Sequence, residues 1–209
     1  ETRPWRFGDP THAIDFNQSL KNAFARSGGF SVSHDDLEVY EHEHDTSCAT
    51  VLLLDVSHSM ILYGEDRITP AKRVALGLCE LIRTRFPKDT LDVVLFGDDA
   101  VQVPLHELPY VGVGPFHTNT REGVRRAREI LRRAKSPNRQ ILMITDGKPS
   151  ALTEPDGTIY KNPMGLDRRI VNKTLEEAGQ CRRLGIPITT IMLTRDPTLV
   201  RFVEQFTEE

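Results

Sequence analysis

The apolar stretch that closes on Leu52-Leu53-Leu54 and runs straight into Asp55-Val56-Ser57-His58-Ser59-Met60 constrains this chain more than any other feature. An uninterrupted hydrophobic strand has no face left for solvent. It therefore belongs inside a sheet covered on both sides, and such sheets are mainly parallel with helices as the crossovers. In open sheets of this kind, ligands sit where the chain leaves the carboxyl ends of the strands. At that point this sequence places one carboxylate and two hydroxyls at alternate positions. Those are oxygen donors suited to a hard divalent cation such as Mg²⁺, which also keeps part of its water shell.

The rest of the pattern agrees. Thr69-Pro70 opens a helical repeat of Ala71, Val74, Ala75, Leu78 and Ile82 that Pro87 ends. Leu91–Phe96 is a second buried strand, and Val101–Leu105 lies close enough behind Gly97-Asp98-Asp99 to be its antiparallel partner at a sheet edge. A helix with Val124, Ala127, Leu131 and Ala134 on its inner face leads to the strand Ile141–Ile144. Then follow a helix carrying Val171, Thr174, Leu175, Ala178 and Cys181, a strand over Ile186–Leu193 and a final helix near Thr198–Phe206. The expected fold is α/β: a doubly wound, mainly parallel sheet with one antiparallel edge strand and helices on both faces. Upstream, Ile14, Leu20 and Phe24 mark a short amphipathic helix over 12–25, Ser27-Gly28-Gly29-Phe30-Ser31 reads as a linker, and Leu37–His44 alternates like a strand.

Two further segments bring oxygen donors to the same sheet edge. Ile141-Leu142-Met143-Ile144-Thr145-Asp146-Gly147 ends a strand on a second carboxylate, and Phe116-His117-Thr118-Asn119-Thr120 is a polar turn that opens a helix. Asp55-x-Ser57-x-Ser59, then Thr118, then Thr145-Asp146-Gly147, in that order, resemble the metal-ion-dependent adhesion site of the von Willebrand factor type A (VWA) family. The resemblance implies a Rossmann-like VWA domain over residues 37–209, with 1–36 as an N-terminal extension and linker. It implies that Ser57, Ser59 and Thr118 touch a Mg²⁺ or Mn²⁺ ion directly. Asp55 and Asp146 would hold the ion through its waters or one direct bond, and Thr120 would cap the helix or stand behind the ligands. A position left open on the ion would accept an Asp or Glu from a partner protein.

The ungapped Asp-Val-Ser-His-Ser-Met motif, the lack of a disulfide pattern and the Thr-Asp-Gly-Lys-Pro segment are similar to intracellular bacterial VWA proteins that work with MoxR-type AAA+ ATPases in cofactor insertion or complex maturation. His58 departs from the Gly often found there. The implied activity is binding, with no catalytic residues. A metal-dependent phosphatase with Asp55 as nucleophile is the alternative, but its motif would carry a second Asp where this chain has Ser57. No Walker A or G-x-G-x-x-G sequence occurs either. An extracellular adhesion domain is the third reading.

Composition sets outer limits. With 38% hydrophobic and 27% charged residues the chain is an ordinary globular sequence, and its net charge of −3 gives no general affinity for nucleic acid. Cys48, Cys79 and Cys181 are odd in number and widely spaced, which favours a reducing, cytoplasmic setting. No apolar run approaches the ~18 residues that cross a bilayer. The start is not signal-like, and Glu1 in place of Met suits a fragment or processed product.

Three other features compete for attention. Tyr40-Glu41-His42-Glu43-His44-Asp45 could suggest zinc, but without Cys or H-E-x-x-H spacing it reads as a charged strand edge. Arg121, Arg125, Arg126, Arg128, Arg132, Arg133 and Lys135 make one helix strongly basic, which reads first as a solvated outer face. Gly147–Arg168 is long for a structureless loop and should overhang the metal in a recognition or gating role.

Overall fold

The computed structural model describes residues 2–9, 11–29, 31–40, 47–64, 66–146, 148–162, 164, 166–193, 203 and 206. They fall into two compact units, Glu1–Asp45 and Thr46–Glu209.

In the first unit, β1 (Thr2–Pro4) pairs antiparallel with β2 (Glu38–Tyr40), Thr2 lying opposite Tyr40. Helix α1 (Phe16–Ser27) begins where the Asp15 carboxylate accepts the Gln18 N–H at 3.1 Å. It stops at Gly28, whose φ of 67° is the left-handed turn that glycine adopts without strain. The Ser19 hydroxyl takes the Glu38 N–H at 2.9 Å, and the Arg26 guanidinium grips both oxygens of Asp36 at 2.8 Å. Residues before Leu37 are thus part of a folded unit rather than an extension and linker. The strand expected over 37–44 pairs here at Glu38–Tyr40 and not in the larger sheet. Its partner β1 is three residues long and ends on a proline, so it leaves no alternating signal. The charged cluster Glu41 to Asp45 lies outside the described residues.

The second unit is built on a five-stranded sheet in the order β5-β4-β3-β6-β9. Its strands are β3 (Cys48–Asp55), β4 (Thr90–Phe96), β5 (Ala100–Val103), β6 (Asn138–Thr145) and β9 (Ile188–Met192); β7 (Ala151–Thr153) and β8 (Ile159–Lys161) form a separate hairpin. Pairing is parallel except for β4 with β5 at one edge. The doubly wound sheet with one antiparallel edge strand is as expected.

Strand alternation divides the core in two. Val51 and Leu53 point into a cluster with Val124, Ala127 and Leu131 of α3 (Thr120–Arg133) and with Ala178 and Cys181 of α4 (Arg168–Arg183). Leu52 and Leu54 point the other way, toward Ala71, Ala75 and Cys79 of α2 (Ile68–Arg85). Val74, expected on the inner face of α2, is 39% exposed, because the buried stripe runs through Ala71, Ala75, Cys79 and Ile82. Helix α2 also starts earlier than Thr69, since the Asp66 carboxylate takes the Thr69 N–H at 3.0 Å. Of the expected last helix only Val203 and Phe206 are described, both helical and buried.

The basic helix neutralises much of its own charge. Arg125 pairs with Glu122 and Glu129, Arg128 reaches Glu177 on α4 at 2.6 Å, and Arg121 donates to the Thr153 carbonyl at 3.0 Å. The face was expected to be solvated, but Arg128 and Glu177 are 13% and 3% exposed and tie α3 to α4.

Candidate metal centre

The sheet order changes direction at β3. From there the chain first builds outward through β4 and β5, then returns to place β6 on the other side. Ligand sites in open sheets form at such switch points, and Asp55 ends β3 while Asp146 immediately follows β6.

The side chains meet there. Asp55 is fully buried, its Oδ1 accepting the Ser57 N–H at 2.9 Å and its Oδ2 accepting the Thr145 hydroxyl at 2.6 Å. The Ser57 and Ser59 hydroxyls lie 2.9 Å apart, and the Thr118 hydroxyl donates to Ser57 Oγ at 2.9 Å. Ser57, Thr118 and Asp146 are each no more than 2% exposed. Asp146 accepts from Arg67 Nη1 through Oδ2 at 3.3 Å, while its Oδ1 is buried with no hydrogen-bond partner. Burial, and then the neighbouring Asp146 charge, push the Asp55 carboxyl up to about 7.

Backbone bonds hold the three loops in place. Val56 N–H reaches the Phe96 carbonyl, His58 N–H the Phe116 carbonyl and Asn119 N–H the Gly97 carbonyl, at 3.0, 2.9 and 2.8 Å. Gly97 is required by this closeness: a Cβ there would lie 2.7 Å from Phe116 Cβ. Thr118 is clamped from the other side, its N–H on Ser150 Oγ at 3.0 Å and its carbonyl accepting the Ser150 and Ala151 N–H groups at 2.9 and 3.2 Å. The stretch after Asp146 is therefore no open loop. It folds as the β7–β8 hairpin around the turn Glu154 to Thr158, and its base carries Thr118.

All five expected positions, Asp55, Ser57, Ser59, Thr118 and Asp146, belong to this one place. Thr120 does not cap α3; the Asn119 side chain does, accepting the Glu122 N–H at 3.2 Å. Sequence reasoning passed over Thr145, Ser150 and Arg67. Thr145 stood inside the Thr-Asp-Gly segment and could have been found from it, whereas Ser150 and Arg67 carry no local signal.

Chemically the cluster is hard and oxygen-only. Among the described residues no three His, Cys, Asp or Glu side chains converge. Two carboxylates and three hydroxyls do. A buried carboxylate oxygen without a donor is costly in a folded protein, and a divalent cation with part of its water shell would satisfy it.

Comparison with known proteins decides the family. Residues 48–209 match the family described as Rv0959-like protein, vWA domain, and residues 1–42 match the Rv0959-like protein, third domain. The chain belongs to the Rv0959-like vWA family. Domains of the vWA class are in general protein-interaction modules. The uncharacterized protein Rv0959 of Mycobacterium tuberculosis is 36% identical over 212 residues, covering 98% of this chain, and Mb0984 of Mycobacterium bovis matches equally. The chain spans 31% of the length of those relatives.

Among solved structures, the vWF domain of the type V pili tip protein Mfa5 from Porphyromonas gingivalis superposes with a TM-score of 0.64 at 12% identity, covering 78% of this chain and 86% of that one. BatB from Bacteroides thetaiotaomicron gives 0.54 at 16% identity, with 78% and 86% covered. Identities this low speak to the fold alone. Among the described residues no helix is long and apolar enough to cross a membrane.

Proposed function

We propose that the vWA unit is a metal-dependent protein-binding module. A Mg²⁺ or Mn²⁺ ion would sit on Asp55, Ser57, Ser59, Thr118 and Asp146 and accept an Asp or Glu from a partner protein. The observation that carries this reading is the convergence of three hydroxyls on two buried carboxylates, one oxygen of which has no donor. With neutral hydroxyls as direct ligands and Asp55 acting through water, the ion's charge is only partly neutralised on its open side, which favours an anionic ligand from outside. Both Asp55 oxygens already accept hydrogen bonds, so this residue suits holding the ion through water.

The same geometry argues against Asp55 as a nucleophile, and the proposed module is not an enzyme. A nucleophilic carboxylate must present a free oxygen to substrate, but Asp55 is fully buried with both oxygens engaged. The proposed partner system is of the MoxR-type AAA+ kind, from the motif resemblance. Cytoplasmic residence belongs to the same reading, supported by three free cysteines of which Cys79 and Cys181 are buried.

The test is capture of a candidate AAA+ partner by the immobilised chain, in Mg²⁺ and in EDTA. Retention should be lost in EDTA and in Asp146→Ala. Capture that survives both changes would make the ion irrelevant to binding.

A further inference from the structure

We infer that Arg67 is the resident counter-cation of Asp146, holding one of its carboxylate oxygens while a divalent ion would take the other, and thereby setting how tightly the ion binds. The inference rests on the metal reading above and adds a residue to it. Arg67 Nη1 lies 3.3 Å from Asp146 Oδ2, with the two side chains 21% and 3% exposed. Its backbone is fixed: the N–H donates to the Met60 carbonyl at 3.0 Å, and its own carbonyl accepts the Ala71 N–H at 3.1 Å as α2 begins. The guanidinium is therefore delivered to Asp146 from a fixed backbone, across 79 positions of sequence.

Asp55 and Asp146 face one another as like charges in a buried site, and a cation beside them offsets that repulsion. Arg67 supplies a positive charge whenever no ion is bound. Once an ion arrives, the two cations share Asp146 and repel one another, so Arg67 lowers the ion's affinity. The 3.3 Å contact is longer than the ~2.7–2.9 Å of a tight charged pair, so Arg67 can draw back as an ion binds the other oxygen. The site then folds without metal and loads only when the metal concentration is sufficient.

The experiment uses the whole chain, with Mn²⁺ calorimetry and with thermal melts in EDTA, on wild type, Arg67→Gln, Arg67→Lys, Asp146→Asn and the Arg67→Gln/Asp146→Asn double variant. Arg67→Gln should bind Mn²⁺ at least about tenfold more tightly, the scale of a unit charge about 6 Å from a divalent ion even at the dielectric of water. Arg67→Lys keeps the charge and should stay near wild type. In EDTA, Arg67→Gln should melt lower than wild type, and the loss should vanish on the Asp146→Asn background. Equal Mn²⁺ affinity in wild type and Arg67→Gln, or additive effects on melting, would overturn the inference. If no chain binds Mn²⁺, the metal reading fails and the competition with it. Non-additive melting would then show Arg67 to be a permanent partner of Asp146 instead.

Discussion

Asp55 shows how a single side chain is set to its task by its neighbours. Burial, and then the second carboxylate it faces, push its carboxyl up to about 7, and the hydrogen bonds from Ser57 and the Thr145 hydroxyl oppose that rise. Thr145→Val keeps the volume but removes that hydroxyl, so the proton on Asp55 should be held more tightly. Mn²⁺ affinity should fall about tenfold, the equivalent of one hydrogen bond to a charged group at ~1.5 kcal/mol, as read by calorimetry. An unchanged affinity would mean that Thr145 is only a core residue. At this scale the clustering of the five proposed positions was legible because each is an oxygen-bearing residue in or next to a turn at the sheet edge. Ser150 and Arg67 were harder to read, because the return of the chain brings them in and nothing local records it.

Among the elements, the β7–β8 hairpin changes the picture most. An apparent loop after Asp146 folds because Gly157, at φ 86°, closes a tight turn and Ala151–Thr153 pairs with Ile159–Lys161. Its base clamps Thr118 through Ser150. Ser150→Ala should therefore weaken Mn²⁺ binding although Ser150 is no proposed ligand, whereas shortening the Pro155-Asp156-Gly157 tip should alter partner binding and leave Mn²⁺ binding nearly unchanged. Equal effects of the two changes on Mn²⁺ affinity would refute this division of labour. In the first unit, the Arg26 guanidinium and the Ser33 N–H hold the Asp36 carboxyl well below its usual value of 3.8. A depressed value in the folded state adds stability above pH 3.8, and that stability is lost as the pH falls below it. Protection of the α1 amides, relative to their intrinsic exchange, should fall below about pH 4 in wild type, and Asp36→Asn should show the lower protection already at neutral pH.

For the molecule as a whole, the parallel sheet was legible because buried runs and helical stripes alternate along residues 49–193. The division after Asp45 was not, since a three-residue strand beside a proline leaves no periodic trace. The wider consequence concerns the larger unit, where metal and fold should be linked. An ion that binds only the folded state stabilises it by mass action, by about 2.7 kcal/mol at a hundredfold excess over Kd. Millimolar Mg²⁺ should therefore raise the melting temperature of the wild-type chain. The most direct measurement is calorimetric titration of Mn²⁺ into wild type and into Asp55→Asn, which removes the charge while keeping the side-chain volume. One site per chain in wild type and none in the variant is the predicted result; no binding to wild type, or equal affinity in both, would contradict it.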